Sequence, residues 1–94
     1  MRYEWDQNKD FANQNKHGIS FTEAIEIFDD PLHVSILDEK YSYFEERWIT
    51  VGAIKNLNIV IAANLFFDDE GEEVIRIISA REATNNERKK YEGT

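Results

Sequence analysis

Hydrophobic and polar positions change their period along this chain. From Ser20 to Phe28, apolar residues recur at Phe21, Ala24, Ile25 and Phe28. That is the i, i+3, i+4, i+7 spacing that turns one helical face inward. Ser20 and Glu23 fit a capping box, and Ile19 is placed to staple against Ala24. Asp29-Asp30-Pro31 ends this helix, because the residue before a proline avoids helical geometry. A more polar helix is predicted ahead of it, from about Gln7, capped by Asp6 and stopped by Gly18. Its apolar residues are chiefly Phe11 and Ala12, so it packs by a narrow stripe. Lys16 and His17 occupy its last turn, where cations suit the helix dipole. Tyr3 to Trp5 reads as a short strand.

Beyond Leu32 the period becomes two. Val34 and Ile36 predict a short strand, and Asp38-Glu39-Lys40 a turn. Tyr43 to Ala53 reads as a longer strand, with Ile49 and Val51 on one face and Glu46, Trp48 and Thr50 on the other. Leu57 to Phe67 is apolar almost throughout, as a central strand is. An acidic turn follows, then a last strand from Val74 to Ala80. Thr84 with Glu87 fits a second capping box, opening a closing helix. Short connections join the long strands, which favours an antiparallel meander. The predicted fold is α+β: a short N-terminal strand, two helices, a three- to four-stranded antiparallel meander and a C-terminal helix. The helices cover one face of the sheet. If Ile49, Val51, Ile75 and Ile77 point to the helices, then Glu46, Trp48 and Arg76 face an open groove. A one-residue slip in register reverses that assignment.

Composition adds limits. Ninety-four residues make one domain, 1–94, and 41% hydrophobic content can supply its core. The absence of cysteine excludes disulfides and thiolate metal sites and fits a reducing cytoplasm. No apolar run follows the N-terminal charges, and none approaches the ~20 residues of a membrane span. The net charge of −8 works against free nucleic acid as a partner. Five of the carboxylates lie in Asp68-Asp69-Glu70-Gly71-Glu72-Glu73, and without them the remainder is −3. The bases gather at Arg76, Arg81, Arg88, Lys89 and Lys90, a local positive end on an acidic molecule. Arg76 interrupts an isoleucine-rich strand, where a charge is costly unless that face is wet or paired. Arg81 stands where strand passes to helix, a usual place for a side chain that meets a ligand.

Trp5-Asp6, Lys9, Asn13, Lys16-His17-Gly18, Phe21, Ala24 and Phe28-Asp29-Asp30-Pro31 resemble the opening of the BrnT family. Glu46-Arg47 with Gly52 resembles its middle. Ile75-Arg76-Ile77-Ile78-Ser79-Ala80-Arg81, with Ala83-Thr84, Glu87-Arg88 and Tyr91, resembles its close. The resemblance implies a RelE-like fold and the toxin of a type II toxin–antitoxin pair in the cytoplasm. It also implies metal-independent RNA cleavage without a cofactor, on free or ribosome-held RNA, that stops translation. The implied partner is a BrnA-like ribbon-helix-helix antitoxin, through which alone the complex reaches promoter DNA. The acidic balance departs from the basic character usual in such proteins.

Metal-free RNA cleavage needs a base for the 2′-hydroxyl, cations for the charged phosphorane and an acid for the leaving 5′-oxygen. This sequence offers His17 and Glu46 as candidates for proton transfer and Arg47, Arg76 and Arg81 as candidates for phosphate, whose oxygens suit the guanidinium fork. Lys16, Trp48 and Tyr91 are RNA-binding candidates, with Trp48 placed to stack on a base at ~1–3 kcal/mol. Each has a structural alternative. His17 suits a helix C-terminus, Arg76 suits a cross-strand pair, Arg81 suits bracing of the last helix, and Tyr91 suits packing. Glu46 and Arg47 are sequential, so a regular strand sends only one of them into the groove. Two histidines with scattered carboxylates make no spaced metal site. A second reading keeps the same fold as an inactive, partner-binding corepressor.

Overall fold

A computed structural model describes residues 1–93, so Thr94 of the predicted 1–94 domain lies outside the described residues. The chain runs β1 (Arg2–Glu4), α1 (Gln7–His17), α2 (Phe21–Ala24), a 3-10 turn (Ile25–Asp29) and β2 (Val34–Leu37). A second 3-10 turn (Glu39–Tyr41), β3 (Trp48–Ala53), β4 (Ile59–Asp69), β5 (Glu72–Glu82) and α3 (Asn85–Tyr91) complete it. The five strands form one sheet in the order β1-β5-β4-β3-β2. β2 to β5 are the predicted antiparallel meander, and β1 joins it in parallel along Val74–Arg76 of β5.

The caps form as their residue types demand. Asp6 accepts from the backbone N–H of Asn8 and Lys9, and Gly18 takes φ +73° at the end of α1. Both capping boxes, Ser20–Glu23 and Thr84–Glu87, are complete. The helix predicted through Phe28 instead tightens into 3-10 geometry after Ala24. The buried face holds Phe21, Ala24 and Ile27 from this segment against Val60, Ala62, Ile75, Ile77 and Ala80 of the sheet. Two buried polar residues of α1 fix its seat. Asp10 accepts from the N–H of Phe21 at 2.8 Å. Asn13 pairs with both backbone groups of Ala80, at 2.8 and 3.1 Å, on the stretch of β5 that β1 leaves uncovered.

β3 reverses its predicted faces. Thr50 is fully buried and donates to Asn64 at 2.8 Å, while Ser35 lies 2.7 Å from the Thr50 hydroxyl. Trp48, in register with Asn64, stacks edge-on against Phe66 on the helix side. Ile49 and Val51 therefore face the open side. The reason is Gly52. A Cβ there would lie 2.9 Å from the carbonyl oxygen and 3.0 Å from the Cβ of Ile27, so the 3-10 turn sits directly on this glycine. β3 also begins at Trp48 rather than Tyr43: β2 ends at Leu37, opposite Trp48, and residues 43–47 leave the ladder although β4 runs on past Asn64 to Asp69.

β4 has the predicted length of 11 residues but lies two positions further along, β5 with 11 is longer than predicted at both ends, and together they take most of the acidic run into their ladder. Asp68 and Asp69 lie opposite Glu73 and Glu72, and Glu70-Gly71 turns with both φ values positive. Arg2 offsets the facing carboxylates by bonding Asp69 and Glu72, both at 2.7 Å. Between Ala63 and Asn64 the β4–β5 register shifts by one residue. This bulge has a large consequence. Arg76 and Arg81 have opposite parity in the sequence, yet both end on the sheet face turned away from Ile75, Ile77 and Ala80.

Candidate active site

The open face carries two cavities, and the predicted residues divide between them. The larger, about 560 Å³, is lined by Lys16 and His17 from the end of α1 and by Asp38, Tyr41 and Arg47 from the loop between β2 and β3. Its floor is Ile49, Ile61, Ala63 and Ser79, and its far wall is Arg81 and Glu87. The floor follows from register, since Ile49, Ala63 and Ser79 are one row across three strands and Ile61 and Arg81 pair in the next. Lys16 and His17 reach it because Asn13 ties α1 to the bare edge of β5.

Three permanent cations, Lys16, Arg47 and Arg81, face two carboxylates here. Arg81 donates both ends of its fork to Glu87, at 2.7 and 2.9 Å. Those bonds, working against burial, hold the Glu87 carboxyl down at about 2, and the same contact raises the Arg81 guanidinium. The structural alternative for Arg81 is thus realised, and Arg81 still lines the cavity. Arg47 is held differently. Its guanidinium lies over the Tyr41 ring at 5.6 Å, and its Nε is buried with no hydrogen-bond partner. Its backbone closes the neck of the loop, taking 2.7 Å from Asp38 N–H and giving 3.0 Å to Ser42 Oγ.

The second cavity, about 420 Å³, is lined by Glu4, Glu45, Glu46, Leu65, Phe66, Phe67 and Arg76. Arg76 pairs with Glu4 at 2.7 Å, across β1 rather than within the meander. Glu46 lies here too, so one of the two predicted proton carriers and one predicted phosphate ligand are separated from the other candidates. The irregular stretch before Trp48, not strand alternation, sends Glu46 and Arg47 to different cavities. Trp48 leaves the groove altogether, for the reason Gly52 supplies. Tyr91 lies in neither cavity and hydrogen-bonds Asp30. That bond, with some burial, pushes the Tyr91 hydroxyl up to about 12. Burial alone would raise the Asp30 carboxyl, but Tyr91 and the N–H groups of Ala53 and Leu32 outweigh it and hold it low. Tyr91 therefore fastens α3 to the start of the meander.

Asp38, Tyr41 and Ser79 line the larger cavity without having been singled out. Ser79 lay within the segment that carried the resemblance. Asp38 belongs to the predicted turn and Tyr41 lies between that turn and the strand predicted from Tyr43, and nothing in local pattern announces a neck closed from Asp38 to Arg47.

A family profile described as "Ribonuclease toxin, BrnT, of type II toxin-antitoxin system" matches residues 5–87. No curated protein matches the chain by sequence. Among solved structures, the crystal structure of the Brucella abortus ribonuclease toxin, BrnT, superposes with a TM-score of 0.64 at 23% identity. The match covers 90% of this chain and 99% of that one, and it establishes the likeness of fold.

Proposed function

The chain belongs to the BrnT family of type II toxin–antitoxin toxins, and from this we propose that it cuts RNA in the 560 Å³ cavity without a metal ion. A type II toxin has an antitoxin partner. The further reading is that this partner is a BrnA-type ribbon-helix-helix protein in the same cytoplasm, that the pair represses its own promoter, and that free toxin inhibits translation.

The observation that carries the cleavage reading is a surplus of cations in that cavity on a chain of net charge −8. Arg47, Arg81 and Lys16 neutralise the phosphorane as it gains charge. Asp38 makes no ion pair among the described residues, whereas the carboxyl of Glu87 is committed to Arg81. Asp38 accepts the 2′-hydroxyl proton as the 2′-oxygen attacks phosphorus. Imidazolium at His17 returns a proton to the departing 5′-oxygen, leaving a 2′,3′-cyclic phosphate and a 5′-hydroxyl.

The test is growth on expression without antitoxin, together with cleavage of cellular RNA by the purified chain in excess EDTA. Arrest, cleavage in EDTA and relief of both by Arg81→Ala are expected. Full toxicity of Arg81→Ala would remove that residue from the mechanism. One observation favours the second reading, of an inactive corepressor: the Arg81 fork is already filled by Glu87. Intact antitoxin binding with no cleavage of any cellular RNA would establish it.

A further inference from the structure

We infer that Tyr41 is the base-stacking residue of the cavity, holding one unpaired nucleobase of a single-stranded RNA beside the phosphate that Arg47 binds. The inference rests on the reading of that cavity as an RNA site and adds what selects and orients the strand within it.

Three observations carry it. Trp48, the aromatic that strand alternation offered to the groove, packs on the helix side against Phe66. Among the aromatic residues, Tyr41 is the one that lines the cationic cavity, and it is 56% exposed there. Tyr43 and Phe44 are more exposed but line neither cavity. Finally, the loop that carries the ring is closed. The Ser42 hydroxyl donates to the Asp38 carbonyl at 2.6 Å and accepts from the Arg47 N–H at 3.0 Å. The Asp38 N–H closes the other side on the Arg47 carbonyl at 2.7 Å. This neck holds Tyr41 and Arg47 together, with the guanidinium over the ring at 5.6 Å from its centroid.

A ring and a guanidinium so joined make a platform with two functions. Every base has a π-face, and stacking on an aromatic ring tolerates any sequence. The guanidinium stays oriented by the ring while its free N–H groups serve phosphate. Lys40, whose ammonium lies 5.5 Å from the same centroid, is exposed and is the cation that an incoming base displaces. Duplex RNA cannot present a base in this way, so the substrate is single-stranded at the cleaved step.

The test measures binding, so that it does not depend on cleavage. The full chain is titrated with a mixed-sequence RNA octamer, 2′-O-methylated throughout, and with the same backbone lacking all its bases. The intact octamer is expected to bind about 5- to 150-fold more tightly, the span of one stacked base. Tyr41→Ala and Tyr41→Leu should abolish that ratio, costing the intact octamer more affinity than the abasic backbone, and Tyr41→Phe should keep it. A ratio that survives in Tyr41→Ala would overturn the assignment. Were the ratio to survive while antitoxin binding weakened, Tyr41 would belong to the protein partner instead. Failure of the wild type to bind even the abasic backbone would overturn the RNA reading of the cavity itself, and this assignment with it.

Discussion

The two cavities occupy one sheet face and share the β4–β5 hairpin, yet their electrostatics are opposite. The inner one sets Lys16, Arg47 and Arg81 against Asp38 and Glu87, and the outer one sets Arg76 against Glu4, Glu45 and Glu46. Arg76 and Arg81 are five residues apart, about 16 Å along a strand. In the sequence they are equivalent arginines on a conspicuous segment. What separates them is the partner each receives from far away in the chain. β1 pairs only as far as Arg76 and delivers Glu4 to it. Past that point the edge of β5 is open to Asn13, and α1 brings Lys16 and His17 instead. The acidic hairpin tip lies at the outer end, roughly 23 Å from Ser79 at ~3.3 Å per residue, and Arg2 holds it there. A chain of net charge −8 can thus keep a cationic pocket by segregating its carboxylates.

The sharpest way to break this comparison is to remove one arginine from each cavity. Arg47→Ala is expected to lower RNA cleavage by about 10²–10³-fold, the usual cost of one preorganised group at a developing charge. Arg76→Ala should stay within about threefold, because it acts only across more than a Debye length. Single-turnover rates on one RNA measure both. Equal losses would mean that the two cavities form one continuous site.

The next effect concerns stability. Gly52→Ala places a Cβ 2.9 Å from a backbone oxygen and 3.1 Å from the His33 Cβ. Neither can swing aside as a long side chain can. A loss of about 1–3 kcal/mol is expected from such overpacking, read as a lower urea midpoint at unchanged m. A neutral result would remove the reason why β3 turns Ile49 toward the inner cavity and Trp48 away from it.

The caps and the helix–helix–meander–helix order were legible because each depends on neighbours in sequence. Asp6, Ser20–Glu23, Gly18 and Thr84–Glu87 all behave as their local chemistry requires. The site was legible only in part, because its geometry depends on two events without a local signature. One is the bulge at Ala63/Asn64, without which Arg81 would share the face of Ile75 and Ile77. The other is the seat of the 3-10 turn on Gly52. Alternation in β3 pointed the wrong way because both faces bear β-branched residues. A buried Thr50, satisfied by Ser35 and Asn64, is indistinguishable in sequence from an exposed one.

The smallest effect tests whether the inner cavity's own carboxylate is a latch on Arg81. Glu87 is held at about 2 in the folded chain against an ordinary 4.5. A depressed carboxyl stabilises the fold above its unfolded value, and that contribution is lost as pH falls from about 4.5 through 2. The Arg81 and Glu87 side chains are 41% and 29% exposed, so solvent screening limits the contribution to about 1 kcal/mol or less. Unfolding of wild type and Glu87→Gln should therefore differ at pH 7 and converge near pH 2. The same substitution removes a negative charge beside Arg81 and releases its fork, so RNA affinity at pH 7 should rise. Weaker binding would instead mean that Glu87 presents Arg81 to the phosphate, making the bidentate pair a positioning element of the cavity.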